Sequence, residues 1–150
     1  MSETPTSPAT AGTGPLAGLK VIEICTTIAG PACTRLLADF GADVIKIEPP
    51  EGDISRYSLP YTETDTERAF GGYFASINRN KRGVVLDLTV EADRELFLRL
   101  TDAADALIEN FRAGVMDRLG LSYETLAARN PKLVYGAIRG FGDPLYPGRV

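Results

Sequence analysis

Three segments of this 150-residue sequence hold side chains whose types and spacing could do chemistry. The first, "ICTTIAGPA" (24–32), joins an apolar run to a helical pattern through small residues. A helix starting there aims unpaired N–H groups back at Thr26, Thr27, Ile28 and Ala29, and those donors and the helix dipole favour an anion. Ala29, Gly30 and Ala32 are small enough to let a ligand approach the backbone. Any tight strand-to-helix turn uses such residues too, so binding and packing stand level at this point. The second segment, "INRNKRG" (77–83), gathers Arg79, Lys81 and Arg82 in an otherwise acidic chain. Forked guanidinium groups and a lysine point charge suit phosphate oxygens. A solvated turn before a strand is the commoner use of such a run. The third, "ENFRAGVMDRLG" (109–120), sends Asn110 and Phe111 out of a strand, turns at Gly114, and places Arg118 one helical turn later. An aromatic face can cover a purine, an amide can bond its edge, and a guanidinium can meet a phosphate. A core phenylalanine beside an exposed arginine is the ordinary alternative, and taken alone it is the safer one.

Other chemistries are thinly provided for. With no histidine there is no Ser–His–Asp set. Glu23, Asp43, Glu48, Asp87, Glu109 and Asp143 are scattered, without the neighbouring pair that marks an acid–base centre. Cys25 and Cys33 are too widely spaced for a CxxC pair, and two thiols without histidine make a poor metal site. Two such cysteines fit a reduced, cytoplasmic setting. A net charge of -4 argues against nucleic acid as a partner, because phosphate binding over a surface needs a basic field. No segment has the length of a membrane span.

The three segments need a frame to position them. Five apolar runs read as strands: 19–24, 43–48, 83–88, about 104–110, and 132–138. Most are apolar on both faces, as buried parallel strands are. Helical patterns lie between them. In the first, Ala32, Leu36, Leu37 and Phe40 form the stripe, with Pro31 at the first helical position and Gly41 as the stop. Thr89 is the expected N-cap of the third helix and Ser122 that of the fourth, which Pro131 ends; a short helix is expected within "RAFGGYFASIN". Alternating strands and helices imply an α/β fold with a mostly parallel sheet, whose ligands bind beyond the carboxyl ends of the strands. Residues 1–14 are rich in Ser, Thr, Pro, Ala and Gly and are expected to form a disordered leader. At the other end, "GAIRGFGDPLYPGRV" leaves the last strand without a following helix. One face of the sheet is then short of cover, and the chain is expected to be the front part of something longer.

In four stretches the sequence resembles the class III CoA-transferase family, the group of formyl-CoA transferase, carnitine CoA-transferase and α-methylacyl-CoA racemase. They are "PLAGLKVIEI", "AGPACTRLLADFGADVIKIEPPEGD", "YFASINRNKRGVVLDL" and "ADALIENFRAGVMDRLGLSYETLAARNPKLVYGAIRGFG". The resemblance implies a Rossmann-like core that binds coenzyme A rather than a dinucleotide, so the three-glycine turn of dinucleotide folds is not required. It assigns residues 15–150 to the amino-terminal part of the large CoA-binding domain, with helices on both faces of the sheet. The positions matching the family's CoA contacts are Thr27, Ile28 and Ala29, then Leu86, then Asn110, Phe111 and Arg118. Pro49 and Thr89 depart, standing where some members carry an arginine and a lysine. Phosphate affinity would then lean on Arg79, Lys81, Arg82 and Arg118, or the ligand would lie differently.

The same resemblance implies the chemistry. An aspartate attacks the acyl-CoA thioester to give a mixed anhydride and CoA thiolate; the thiolate returns to form an aspartyl-CoA thioester, and a carboxylic acid collects the CoA. That aspartate falls several dozen residues past the last motif, outside this sequence, so no catalytic residue is assigned here, and Asp143 sits at a variable loop position. Acyl-CoA and a carboxylic acid are the implied partners, in a longer protein that forms an interlocked homodimer. Two alternatives stay within the family: a 2-methylacyl-CoA racemase and a non-catalytic CoA-binding module. A third, an NAD-dependent oxidoreductase with Glu48 on the ribose, lacks the glycines it needs.

Overall fold

A computed structural model describes residues 13–140. Five strands run β1 (Lys20–Ile24), β2 (Asp43–Glu48), β3 (Arg82–Val85), β4 (Ala106–Glu109) and β5 (Val134–Ala137), all parallel, in the order β3-β2-β1-β4-β5. The chain steps outward on one side from β1 to β3, then returns to lay β4 against the other side of β1. That reversal opens a crevice between the carboxyl ends of β1 and β4, the place where open parallel sheets hold ligands. The fold is the expected Rossmann-like α/β sheet.

Alternation along the strands sorts side chains to two faces. Val21 and Val44 pack with Ala38 and Ala42 beneath α1 (Ala29–Asp39). Ile22, Ile24 and Leu107 pack with Phe97 of α3 (Glu91–Asp102) and Leu126 of α5 (Tyr123–Arg129) on the other. Helix α2 (Gly72–Asn78) leans on α1 and buries Phe74, and α4 (Val115–Arg118) is a single turn that buries Met116. The outer strands have less cover: every residue of β3 is exposed, as are both ends of β5, where Val134 is 66% exposed. Among the described residues no helix is long and apolar enough to cross a membrane.

Several local expectations are met and three shift. Gly41 ends α1 at a φ of 101°, and the Ser122 hydroxyl accepts the Thr125 amide to open α5. Pro31 falls at the third position of α1 rather than the first. The third strand stops at Val85, short of the expected Leu88, because the Asp93 carboxylate accepts the Asp87 amide and draws the chain out of the ladder. Thr89 is not a helix cap: its amide and hydroxyl both donate to Asp87, and Val90 takes the cap position of α3 without a side-chain bond. Leader residues 1–12 and the final turn, with Asp143, lie outside the described residues.

Candidate functional site

Beyond the carboxyl end of β1, three successive residues are each held by a side chain from a neighbouring segment. The Cys25 carbonyl accepts from Lys46 Nζ of β2 at 2.7 Å. The Thr26 amide donates to Asn110 Oδ1 at 2.9 Å while Asn110 Nδ2 donates to the Thr26 carbonyl at 2.8 Å. The Thr27 amide donates to Asp53 Oδ1 at 3.2 Å, with Thr27 at a φ of 70°, where a β-branched residue is seldom found. Strain of that kind, of order 1–3 kcal/mol, persists only where the surroundings dictate it. Helix α1 starts directly afterwards, and no side chain caps it. Pro31 brings no N–H, so Ile28, Ala29 and Gly30 carry the unpaired N–H groups of the helix start. Gly30 is also a packing requirement, since a Cβ there would stand 2.2 Å from Cys25 Sγ.

Behind this turn lies a network of four charges taken out of water. Glu23 and Lys46 face each other in the β1–β2 register, and their side chains are 0% and 2% exposed. Lys46 Nζ is 3.0 Å from Glu23 and 3.0 Å from Asp53, and Lys81 Nζ is 2.8 Å from Glu23. Thr34 completes the shell by donating its hydroxyl to Glu23 at 2.6 Å. Two carboxylates and two ammonium groups balance. Burial would raise the Asp53 carboxyl, but the Ser55 amide and Lys46 outweigh it and hold it below its ordinary value. Burial would likewise lower Lys46, and Glu23 and Asp53 together hold it above the usual lysine range. For Lys81 burial wins and its ammonium is held below that range. The Cys25 thiol, pushed up by burial and by Glu23, stays protonated and serves packing.

On the opposite face, beside the same turn, opens a cavity of about 530 Å³ at the ends of β1, β2 and β3. Ile24, Ile47, Leu86 and Phe111 give it apolar walls, Pro49 and Pro50 one side, and Glu48, Glu51 and Asp87 an acidic margin. No lysine or arginine lines it among the described residues. Phe111 is set in place by its backbone, whose amide donates to the buried Glu109 carboxylate at 2.8 Å; Tyr135 and Arg139 hold the same carboxylate.

Of the positions singled out from sequence, Leu86 and Phe111 line the cavity, and Asn110 clasps Thr26, another lining residue. Thr27, Ile28 and Ala29 sit together and exposed at the head of α1. Arg118 ends α4 exposed, its guanidinium 3.5 Å from where a Gly114 Cβ would be, while Val115 and Leu119 beside it reach the cavity. The basic run departs from a phosphate cradle. Arg79 pairs with Asp39 at 2.7 Å, Arg82 pairs with Asp43 at 2.6 Å at the amino ends of their strands, and Lys81 is buried on Glu23. Glu48 is also engaged: Arg56 grips both its oxygens at 2.7 Å, leaving no free carboxylate for a ribose.

The residues that sequence reasoning missed are Lys46 and Asp53. One signal was present. "VIEI" and "VIKI" each carry a single charge between apolar neighbours, of opposite sign, at matching positions of successive strands.

Comparison with known proteins places this geometry in a family. The model for CoA-transferase family III matches residues 16–148. The chain is 51% identical over 131 residues to a succinyl-CoA:mesaconate CoA-transferase of Haloarcula hispanica, covering 87% of this chain and 33% of that protein. It is 47% identical over 131 residues to an acetyl-CoA:oxalate CoA-transferase of Acetobacter aceti, covering 87% and 32%. The crystal structure of a CAIB/BAIF family protein from Brucella suis superposes with a TM-score of 0.81 at 48% identity, over 86% of this chain and 34% of that one. The chain therefore spans about a third of the length of the curated relatives it matches. With the match reaching from one end of the described fold to the other, this chain belongs to CoA-transferase family III.

Proposed function

We propose that this chain is the amino-terminal, coenzyme A-binding portion of a CoA-transferase that moves CoA between an acyl-CoA and a carboxylic acid. The observation that carries this reading is the pairing, at one strand edge, of an apolar cavity of about 530 Å³ with a clasped turn and an uncapped helix start. A CoA molecule needs both kinds of surface. Its adenine suits the apolar walls at Leu86 and Phe111, with the Asn110 segment alongside. Its phosphates are repelled by Glu51 and Asp87 and go instead to the donors at Ile28 and Ala29 and to Arg118. The cavity margin carries Pro49 and Thr89, uncharged side chains, so Arg118 is the cation on which phosphate affinity leans.

The nucleophile in this reading is an aspartate carried by the rest of a longer protein, which passes CoA through an aspartyl thioester. The acceptor tried first is a small dicarboxylic acid, because the similar enzymes from Haloarcula hispanica and Acetobacter aceti are named for mesaconate and oxalate. The longer protein works as an interlocked homodimer in the cytoplasm. The test is an exchange assay with succinyl-CoA or acetyl-CoA against mesaconate and oxalate. Turnover is expected from the longer protein and not from these 150 residues alone, since losing one member of a covalent catalytic unit costs several orders of magnitude in rate. Turnover by the 150-residue chain, abolished by Asp143→Asn, would contradict it. Inversion of a 2-methylacyl-CoA without CoA transfer would select a racemase instead.

A further inference from the structure

We infer that Asp53 and Lys46 are positioning residues that hold the turn after β1 ready for its ligand. The inference rests on the reading of that turn as part of the coenzyme A site. Neither residue is open to a ligand: Asp53 is 1% exposed and Lys46 is 2% exposed. What they hold is backbone. Lys46 Nζ donates to the Cys25 carbonyl at 2.7 Å, and Asp53 Oδ1 accepts from the Thr27 amide at 3.2 Å, two residues later on the same strand exit. The two residues are joined to each other at 3.0 Å, so both grips move as one piece. Asp53 is in turn fixed by Ser55, whose amide and hydroxyl donate to its Oδ1 at 2.9 and 2.8 Å, and by its own amide on Glu48 Oε2 at 2.9 Å.

The arrangement answers why Thr27 keeps a φ of 70° where glycine would sit without strain. The Asp53 grip holds the Thr27 amide toward the protein interior, and the chain then runs straight into the exposed residues Ile28 and Ala29. A turn free to relax would lose that course and would have to regain it each time a ligand bound. Holding it in advance lowers the ordering cost of binding.

The variant Lys46→Met/Asp53→Leu removes both grips together. It leaves Glu23 facing Lys81 at 2.8 Å, a balanced pair, so the fold is not left with an unmatched buried charge. Hydrogen exchange read residue by residue is expected to show the Thr27 amide opening about tenfold or more faster, with β1 and β4 amides protected as before. Coenzyme A titrated into the same variant is expected to bind about tenfold or more weakly at a temperature where it is fully folded. Lys46→Met/Asp53→Asn, which keeps the Glu23–Lys81 balance and an acceptor oxygen for Thr27, should restore most of the Thr27 protection and of the coenzyme A affinity. Equal acceleration across the whole sheet would reduce the pair to a general stabilising role and overturn the inference. So would unchanged exchange at Thr27. If the unaltered chain fails to bind coenzyme A, the site reading falls, and exchange at Thr27 still decides whether the grip exists.

Discussion

Ion pairs occur at both edges of the sheet, and they do different things. At the amino edge, Arg82–Asp43 has side chains 53% and 44% exposed, and Arg129–Asp102 has 36% and 38%. Such pairs gain little, because water and salt screen them and two long side chains must be ordered. Toward the carboxyl edge, the Glu23, Lys46, Asp53 and Lys81 side chains are all at most 2% exposed and share contacts of about 3 Å. Here no member can be removed alone without leaving a charge in a poor environment. The amino edge uses charge for solubility, and the carboxyl edge uses it to fix the course of backbone. The basic run in the sequence divides between the two: Arg79 and Arg82 make exposed pairs, and Lys81 joins the buried group.

The largest expected effect is a direct strike on the buried group. Lys46→Met leaves Asp53 without a cation and Glu23 with Lys81 alone, and is expected to cost about 3–5 kcal/mol in urea unfolding. A loss under about 1 kcal/mol would make the two edges equivalent and end the contrast. Acid offers a graded version. Burial works against the charged forms of Asp53 and Glu48, yet the Ser55 amide and Lys46, and Arg56 respectively, hold both carboxyls below their ordinary values. A carboxyl held lower in the fold than in the unfolded chain contributes stability above its unfolded value, near about 4, and that contribution fades as pH falls through the folded value. Melting temperature should therefore fall as pH drops below about 4, and removing the grip with Lys46→Met/Asp53→Leu should flatten that fall. An undiminished acid slope in the double variant would assign the slope to other carboxylates. The smallest effect is expected from Arg82→Ala, within about 1 kcal/mol and shrinking with added salt. Unchanged coenzyme A affinity in that variant would sharpen the contrast, and weakened affinity would return the basic run to the site.

Much of the fold was legible because parallel strands buried on both faces leave long apolar runs that few other elements produce. Register was not, and with it went the network: Glu23 and Lys46 become partners only once β1 and β2 are aligned residue by residue. Asp53 was harder still. It lies in a loop among Glu51, Gly52 and Ser55, where an acidic residue ordinarily marks a solvated turn. Its burial depends on Lys46 and on the Thr27 amide, 26 positions away in the chain. The basic run misled in the opposite sense, since charge density carries no information about which acids stand opposite. Phe111 and Leu86 were legible as apolar strand-end residues, but the cavity they share forms only when β3 and β4 take places on either side of the β1–β2 pair.

The central claim, a coenzyme A site at the carboxyl edge, is tested most directly by calorimetry of the chain with coenzyme A and, separately, with NAD. Coenzyme A is expected to bind and NAD negligibly, and Arg118→Ala is expected to weaken coenzyme A by about 1.5–3 kcal/mol through loss of a charged hydrogen bond. NAD binding tighter than coenzyme A would contradict the claim, and coenzyme A affinity unmoved by Arg118→Ala would remove Arg118 from the site.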